Sequence, residues 1–281
     1  MKKKYVIKAS GKQEEFDIKK FKQSIKRCGG SKKLAEELAQ QLLSKKDIIT
    51  TKQLYQFAKK QLCKINRPIA ARYNLKQALF EFGPSGFPFE RFVAEVYKKQ
   101  GYLTDIGKVL QGWCIHHETD VIAKKDSSYY LIECKFHTHQ GIKSPVQTPL
   151  YVKARFEDIL KKQAAQKSKI KQFEYAVIIT NTRFTKDAQR YGICAGIQLI
   201  DWSHPKRNNL PKQIEKTKTY PITTLTTLQQ KHKKELLKNN IILCNQLYKY
   251  KELLHKIGLS QKKIKAVLAE AAGVCTITIK K

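Results

Sequence analysis

Apolar residues recur at helical spacing along Lys19 to Cys28, Lys32 to Ser44, Thr51 to Ile65 and Ile69 to Phe82, which predicts four helices in the first third of the chain. In the last of them Ala70, Tyr73, Leu75, Ala78 and Leu79 form the stripe expected to be buried. Ahead of these helices, Tyr5 to Lys8 and a segment about Phe16 read as two short strands joined by a Ser10-Gly11-Lys12 turn. The turn-forming cluster Gly83-Pro84-Ser85-Gly86 ends this block. The pattern then alternates. Phe89 to Gln100 is an amphipathic helix. Thr119 to Ala123 and Tyr129 to Phe136 are β-rich runs joined by a polar turn, as in a hairpin. Thr148 to Lys167 reads as a long helix. Tyr175 to Thr180 is a continuous apolar run, as expected of a strand covered on both faces. A helix about Thr185 to Tyr191 and a strand about Ile197 to Ile200 follow. Beyond them Asn208 to Tyr220 reads as a linker, and Leu225 to Asn239, Ile241 to Ile257 and Ser260 to Ala272 are helical. These shifts divide the chain into residues 1–86, 87–203 and 204–281. The expected class is α/β in the middle block, with helical blocks on either side.

Of the 281 residues, 56 are Lys or Arg and 23 are Asp or Glu, a formal charge of +33, yet 41% are hydrophobic. Wholesale disorder is excluded. No apolar run has the roughly 18 residues that a membrane span requires, and Met1 to Lys4 leads into a charged stretch and not an apolar leader. A soluble, cytoplasmic protein is the expectation. The seven cysteines include no CxxC pair, so neither a disulfide framework nor a zinc site is indicated. Excess positive charge of this size points to a polyanion, with DNA the leading partner, because each phosphate neutralised releases condensed counterions. A Lys-rich solubility surface is the competing explanation.

Candidate chemistry lies in the hairpin. Side chains alternate along a strand, so Glu133 and Lys135 share one face and Cys134 takes the other. If the two β-rich runs pair, Asp120 falls near Glu133. Two carboxylates meeting there suit a hard cation such as Mg²⁺, which needs few protein oxygens and keeps water or phosphate for the rest. Lys135 beside that cation completes an arrangement used in phosphodiester hydrolysis. A Glu-x-Lys pair is also commonplace on solvated strands. His117 is read as a structural histidine that could orient the site from behind. Nothing in local spacing separates Glu90 from Glu95 on the preceding helix.

The order Phe89-Glu90-Arg91-Phe92-Val93-Ala94-Glu95-Val96, Gly101-Tyr102, then the hairpin resembles the PD-(D/E)xK nucleases, in particular the Mrr-like type IV restriction endonucleases. Tyr151 to Asp158 and Ile178 to Ala188 are similar to the later helix and strand of that branch. The resemblance implies a restriction-endonuclease-like mixed sheet flanked by helices. It also implies a catalytic set of Glu90, Asp120, Glu133 and Lys135, with Mg²⁺ or Mn²⁺ held by Asp120 and Glu133. Where many members have Gly-Gly-x-Asp and Gln-x-Lys, this chain has His117-Glu118-Thr119-Asp120 and Glu133-Cys134-Lys135. A homodimer is expected, since many such nucleases pair two sites to cut both strands.

The segment Val6 to Asp17 with Lys20, Ser24-Ile25, Ile48-Ile49-Thr50 and Ala70 to Tyr73 resembles the ATP-cone, a regulatory nucleotide-binding module. That likeness implies ATP or dATP as an effector, held by Lys8, Glu14 and Lys20. Charge agrees for Lys8 and Lys20, which suit triphosphate oxygens, and Gly11 lets backbone approach them. Ala9 and Ser10 replace the Arg and Asp usual there, removing a phosphate contact. The expected function is a Mg²⁺-dependent DNA endonuclease under nucleotide control. Its rival is a non-enzymatic, nucleotide-sensing DNA-binding regulator.

Overall fold

The computed structural model describes residues 5–8, 11–44, 50–165 and 173–276. The predicted features at Ala9-Ser10 and Ile48-Ile49 lie outside them. Strands β1 (Tyr5–Ile7) and β2 (Gln13–Glu15) form an antiparallel pair, with Gly11 turning the chain at φ 78°. Four helices follow: α1 (Ile18–Arg27), α2 (Lys32–Ser44), α3 (Thr51–Ile65) and α4 (Arg67–Tyr73). Their starts are set locally. Asp17 and Asn66 cap α1 and α4, and Thr50 with Gln53 forms a reciprocal capping box on α3. The apolar stripes meet in one core that includes Phe21, Ile25, Leu38, Leu42, Phe57 and Leu62.

The expected single helix from Ile69 to Phe82 is two helices, α4 and α5 (Leu75–Phe80), parted at Asn74. The buried Asn74 side chain accepts hydrogen bonds from Lys59 Nζ at 2.9 Å and from the Tyr55 hydroxyl. Helical period cannot reveal that commitment.

The middle of the chain begins with α6 (Phe87–Lys98), followed by β3 (Leu103–Gln111), β4 (His116–Lys125), β5 (Ser128–Lys135) and β6 (Lys143–Ser144). Then come α7 (Gln147–Ala165), β7 (Phe173–Thr180), β8 (Arg183–Phe184), α8 (Lys186–Cys194), β9 (Gln198–Ile200) and α9 (Leu210–Thr217). The five-stranded sheet runs β3-β4-β5-β7-β9. Its first three strands are antiparallel, and β5, β7 and β9 are parallel. Crossovers through α7 and α8 are what parallel neighbours require. One face packs Ile122, Leu131, Ala176, Ile178 and Leu199 against Val152, Phe156 and Ile159 of α7 and Ala188 of α8. Helix α6 packs against β3, β4 and β5. This is a restriction-endonuclease-like mixed sheet flanked by helices.

Strand β3 was not expected from the sequence. Most of it is exposed along a sheet edge and Gly107 interrupts it at φ 62°, so no apolar alternation marks it. The stretch from Asn208 to Tyr220, expected to be a linker, contains α9. Pro211 sits in the first turn of α9, where its missing N–H costs nothing, and Lys218 ends the helix at φ 56°.

The last third contributes α10 (Gln230–Lys238), α11 (Lys251–Lys256) and α12 (Gln261–Thr276). The chain forms two compact units, one of residues 1–78 with 220–281 and the other of residues 79–219. In the first unit Arg72 donates twice to the Val274 carbonyl, at 3.0 and 2.6 Å, and Asn74 donates to Thr224 at 3.3 Å. No helix is long and apolar enough to cross a membrane among the described residues.

Glu270 of α12 is buried and accepts from both the backbone N–H and the hydroxyl of Thr226 and of Thr227, at 2.5 to 2.9 Å. Glu270→Ala leaves these donors without an acceptor and is expected to destabilise this unit by about 3 kcal/mol. Chemical denaturation of parent and variant measures it. An unchanged midpoint would show that the buried carboxylate contributes nothing net.

Candidate active site

The site grows from the open end of the β4–β5 hairpin. Ile122 and Leu131 face each other across the ladder and both join the core under α7. Two residues further along each strand on that same face come Asp120 and Glu133. The paired ladder stops at Val121 and Ile132, and there the Asp120 carboxylate accepts the Cys134 N–H at 2.6 Å. A side chain thus takes over from backbone where the strands part. Lys135 follows Glu133 on the same face, exposed, and no described residue pairs with its ammonium.

Glu90 arrives from α6, in its first turn after the Phe87-Pro88 start. Burial of Phe89 and Phe92 fixes the helix, and the Phe89 ring meets Phe136 at 5.7 Å. Glu90, Asp120, Glu133 and Lys135 therefore line one open cleft of about 360 Å³, together with Pro84, Gly86, His137 and Ile142. The Gly83–Gly86 cluster, read as a boundary, is part of its wall.

The electrostatics follow from crowding acids under partial cover. Glu90 is pushed up to about 7, first by burial and then by Asp120, Glu118 and Glu133. Asp120 is pushed up to about 6 by burial and by Glu133, against the opposing Cys134 N–H and Arg155. Arg155 of α7 is paired with these acids. It donates to Glu133 at 2.8 Å and also to the Glu118 carbonyl, and its guanidinium lies 5.3 Å from the Tyr151 ring. Sequence reading passed over Arg155. Only the helix crossover brings it to the strands.

His117 does not enter the cleft. Its Nε2 lies 2.8 Å from Asp158, which also accepts the Cys114 N–H at 2.9 Å, so the pair ties the β3–β4 turn to α7. The His117 bond, offset in part by burial, and those turn N–H groups hold Asp158 down at about 2. Gly112 suits that turn, because a Cβ would fall 2.7 Å from the Ile115 carbonyl oxygen and 1.9 Å from the Asp158 carboxylate.

The three residues expected at a nucleotide site are neighbours at the start of the chain. Lys8 pairs with Glu14 at 2.5 Å, and Lys20 lies 3.5 Å from Asp17, whose side chain also accepts the Lys20 N–H at 3.0 Å. Hydrogen bonding from Lys8 holds the Glu14 carboxyl below its ordinary range.

Family models match three segments of the chain: an ATP cone domain over residues 4–76, a restriction endonuclease domain of the Mrr type over 84–204, and an AF1548-like C-terminal domain over 220–275. These matches define a restriction-endonuclease domain joined to an ATP cone, a nuclease-like class of protein. An uncharacterized protein of Archaeoglobus fulgidus is 34% identical over 186 residues, covering 99% of that protein and 65% of this chain. A crystal structure described as a protein of unknown function, AF1548, is 32% identical, with a TM-score of 0.55 over 68% of this chain and 98% of that one. The chain belongs to this AF1548-like family. An overlap with the MspJI restriction endonuclease in complex with a 27-mer oligonucleotide is slight, at 17% identity and a TM-score of 0.31 over 47% of this chain and 29% of that one.

The raised carboxyls make stability depend on pH in a defined direction. Glu90 and Asp120 bind protons more tightly folded, at about 7 and about 6, than at their ordinary values of 4.5 and 3.8. Their contribution is therefore present below about pH 4 and lost as pH rises through 6 to 7. Glu90→Gln is expected to raise the melting temperature in EDTA at pH 8 and to change it little at pH 5. Equal melting of parent and variant at both pH values would show that neither burial nor the neighbouring acids penalise the charged Glu90.

Proposed function

We propose that the chain is a divalent-metal-dependent endonuclease that hydrolyses phosphodiester bonds in DNA. The observation that carries this reading is the meeting of Glu90, Asp120, Glu133 and Lys135, from one helix and two strands, around a single open cleft. The donor set suits a hard cation, Mg²⁺ or Mn²⁺. Its atoms are carboxylate oxygens, and their raised affinity for protons comes first from burial and then from crowded negative charge, both of which a cation would relieve. Among the described residues no three His, Cys, Asp or Glu side chains form a ready-made cage. Asp120 and Glu133 would hold the ion, with water or substrate phosphate completing its shell. Such a cation supplies positive charge where charge builds on the phosphoryl group.

The protein's own groups divide the remaining work. Arg155 occupies one oxygen of Glu133 and so fixes the carboxylate's orientation. The Lys135 ammonium, without a partner among the described residues and beside the acids, orients the attacking water and stabilises the phosphoryl oxygens. Glu90, near neutrality in its affinity for a proton, can accept one from that water. The net charge of +33 draws DNA towards the protein independently of these residues. Cutting both strands calls for two clefts, hence a homodimer on the duplex. At the start of the chain, the Lys8, Glu14 and Lys20 cluster is read as an ATP or dATP effector site, with triphosphate oxygens exchanging for the acidic partners of the two lysines.

Asp120→Ala and Lys135→Ala are each expected to reduce plasmid nicking in Mg²⁺ by at least about 100-fold while DNA affinity changes by less than about threefold. EDTA should stop the parent, and Mn²⁺ should restore it. Both variants cutting at the parent's rate would remove the site assignment. A parent that shifts DNA with nucleotide but never cuts it would instead be the non-enzymatic, nucleotide-sensing regulator.

A further inference from the structure

The line of chemistry on β5 does not stop at Lys135. Period-two alternation carries the face of Glu133 and Lys135 on to residue 137, a histidine. The chain kinks as β5 ends, with the Phe136 N–H donating to the Cys134 carbonyl at 3.1 Å, and His137 still lines the same cleft as the acids.

His137 is held with unusual care for a residue just past a strand. Asn181 is fully buried and clamps the backbone of His137. Its Oδ1 accepts the His137 N–H at 2.9 Å, and its Nδ2 donates to the His137 carbonyl at 2.8 Å. Ser144, also fully buried, places its hydroxyl 3.0 Å from the ring's Nε2. Ser144 is itself fixed, since β6 pairs with β8 and its carbonyl accepts the Thr185 N–H at 3.0 Å. Two buried polar residues from separate elements thus set both the backbone and the ring of one half-buried histidine. The second ring nitrogen, Nδ1, has no partner among the described residues. Burial and then the Lys135 ammonium hold the imidazole below its ordinary pKa, which favours the neutral ring. The separation allows the Ser144 hydroxyl to donate to Nε2, and in that tautomer a neutral ring carries its proton on Nδ1.

We propose that His137 is a substrate-binding residue of the cleft, its Nδ1–H donating to a phosphoryl oxygen of the DNA strand lying across Lys135. The proposal rests on the nuclease reading for its substrate and adds a contact to it. A neutral donor suits this place. Next to Lys135 and the acids, a second full charge would compete for their carboxylates, whereas an N–H dipole aligns the phosphate without doing so. Buried Asn181 and Ser144 supply the rigidity that such alignment needs.

The test compares His137→Ala, His137→Asn and His137→Gln in the full chain, with thermal melts as a check on folding. Two quantities are read: single-turnover cleavage of a duplex oligonucleotide in Mg²⁺, and affinity for the same duplex in EDTA by fluorescence anisotropy. His137→Ala is expected to slow cleavage by about 10-fold or more and to weaken binding by about threefold. The asparagine variant, whose amide N–H falls near the position of Nδ1, should recover most of both losses. The glutamine variant, which places its amide near Nε2, should not. A purely structural histidine would not separate the two amides. If the parent cuts and the alanine variant matches it in both measurements, the His137 contact is overturned and the nuclease reading stands. If the parent binds but never cuts, the nuclease reading falls and the anisotropy decides, with equal affinities overturning the contact. A parent that does neither overturns both.

Discussion

One guanidinium holds the open end of the hairpin together. Arg155 reaches from α7 to the Glu133 carboxylate and to the backbone of Glu118, so it spans β4 and β5 just where their ladder has ended. Removing charge from water is costly, and a buried arginine persists only when paired and hydrogen-bonded. Here its partners are the strands that carry Asp120 and Glu133. The condition that satisfies Arg155 is thus the one that keeps two acids from splaying apart. Burial comes first, and the repulsion that Arg155 offsets only in part at Asp120 adds to it, so Asp120 and Glu90 still hold protons well above their ordinary range.

The rest of the restriction-endonuclease-like domain can be understood as support for that cluster. The parallel pairing of β5 with β7 forces a crossover, and the crossover helix is α7, the source of Arg155 and Asp158. Asp158 fastens the far end of β4 through His117, while Phe89 and Phe136 fasten α6 to the exit of β5. Hydrophobic packing places the elements to within a residue. Hydrogen bonds to buried polar groups then settle which way each functional side chain points.

The N-terminal helices were legible because each announces itself twice, by an apolar stripe and by a cap such as Asp17, Thr50 or Asn66. The hairpin was legible through strand alternation, which also put Glu133 beside Lys135. Strand β3 was hidden because an exposed edge has no face to bury. The break at Asn74 was hidden because its cause is a set of partners distant in sequence, among them Thr224. Glu90 could not be told from Glu95 by spacing, since helical period says which residues share a face and nothing about what lies opposite.

The sequence by itself determined the class of the fold, the basic character of the surface and the presence of an acidic, lysine-bearing hairpin. Those properties are local or additive, and a chain carries them before it folds. Only the tertiary structure decided that Glu90 joins Asp120 and Glu133, that His117 turns to Asp158, that Arg155 pairs with Glu133, and that His137 lines the cleft. It also gathered residues 1–78 and 220–281 into one unit. Each of these depends on contacts between residues far apart in sequence, whose energy comes from burial and from the satisfaction of polar groups that a linear pattern does not encode.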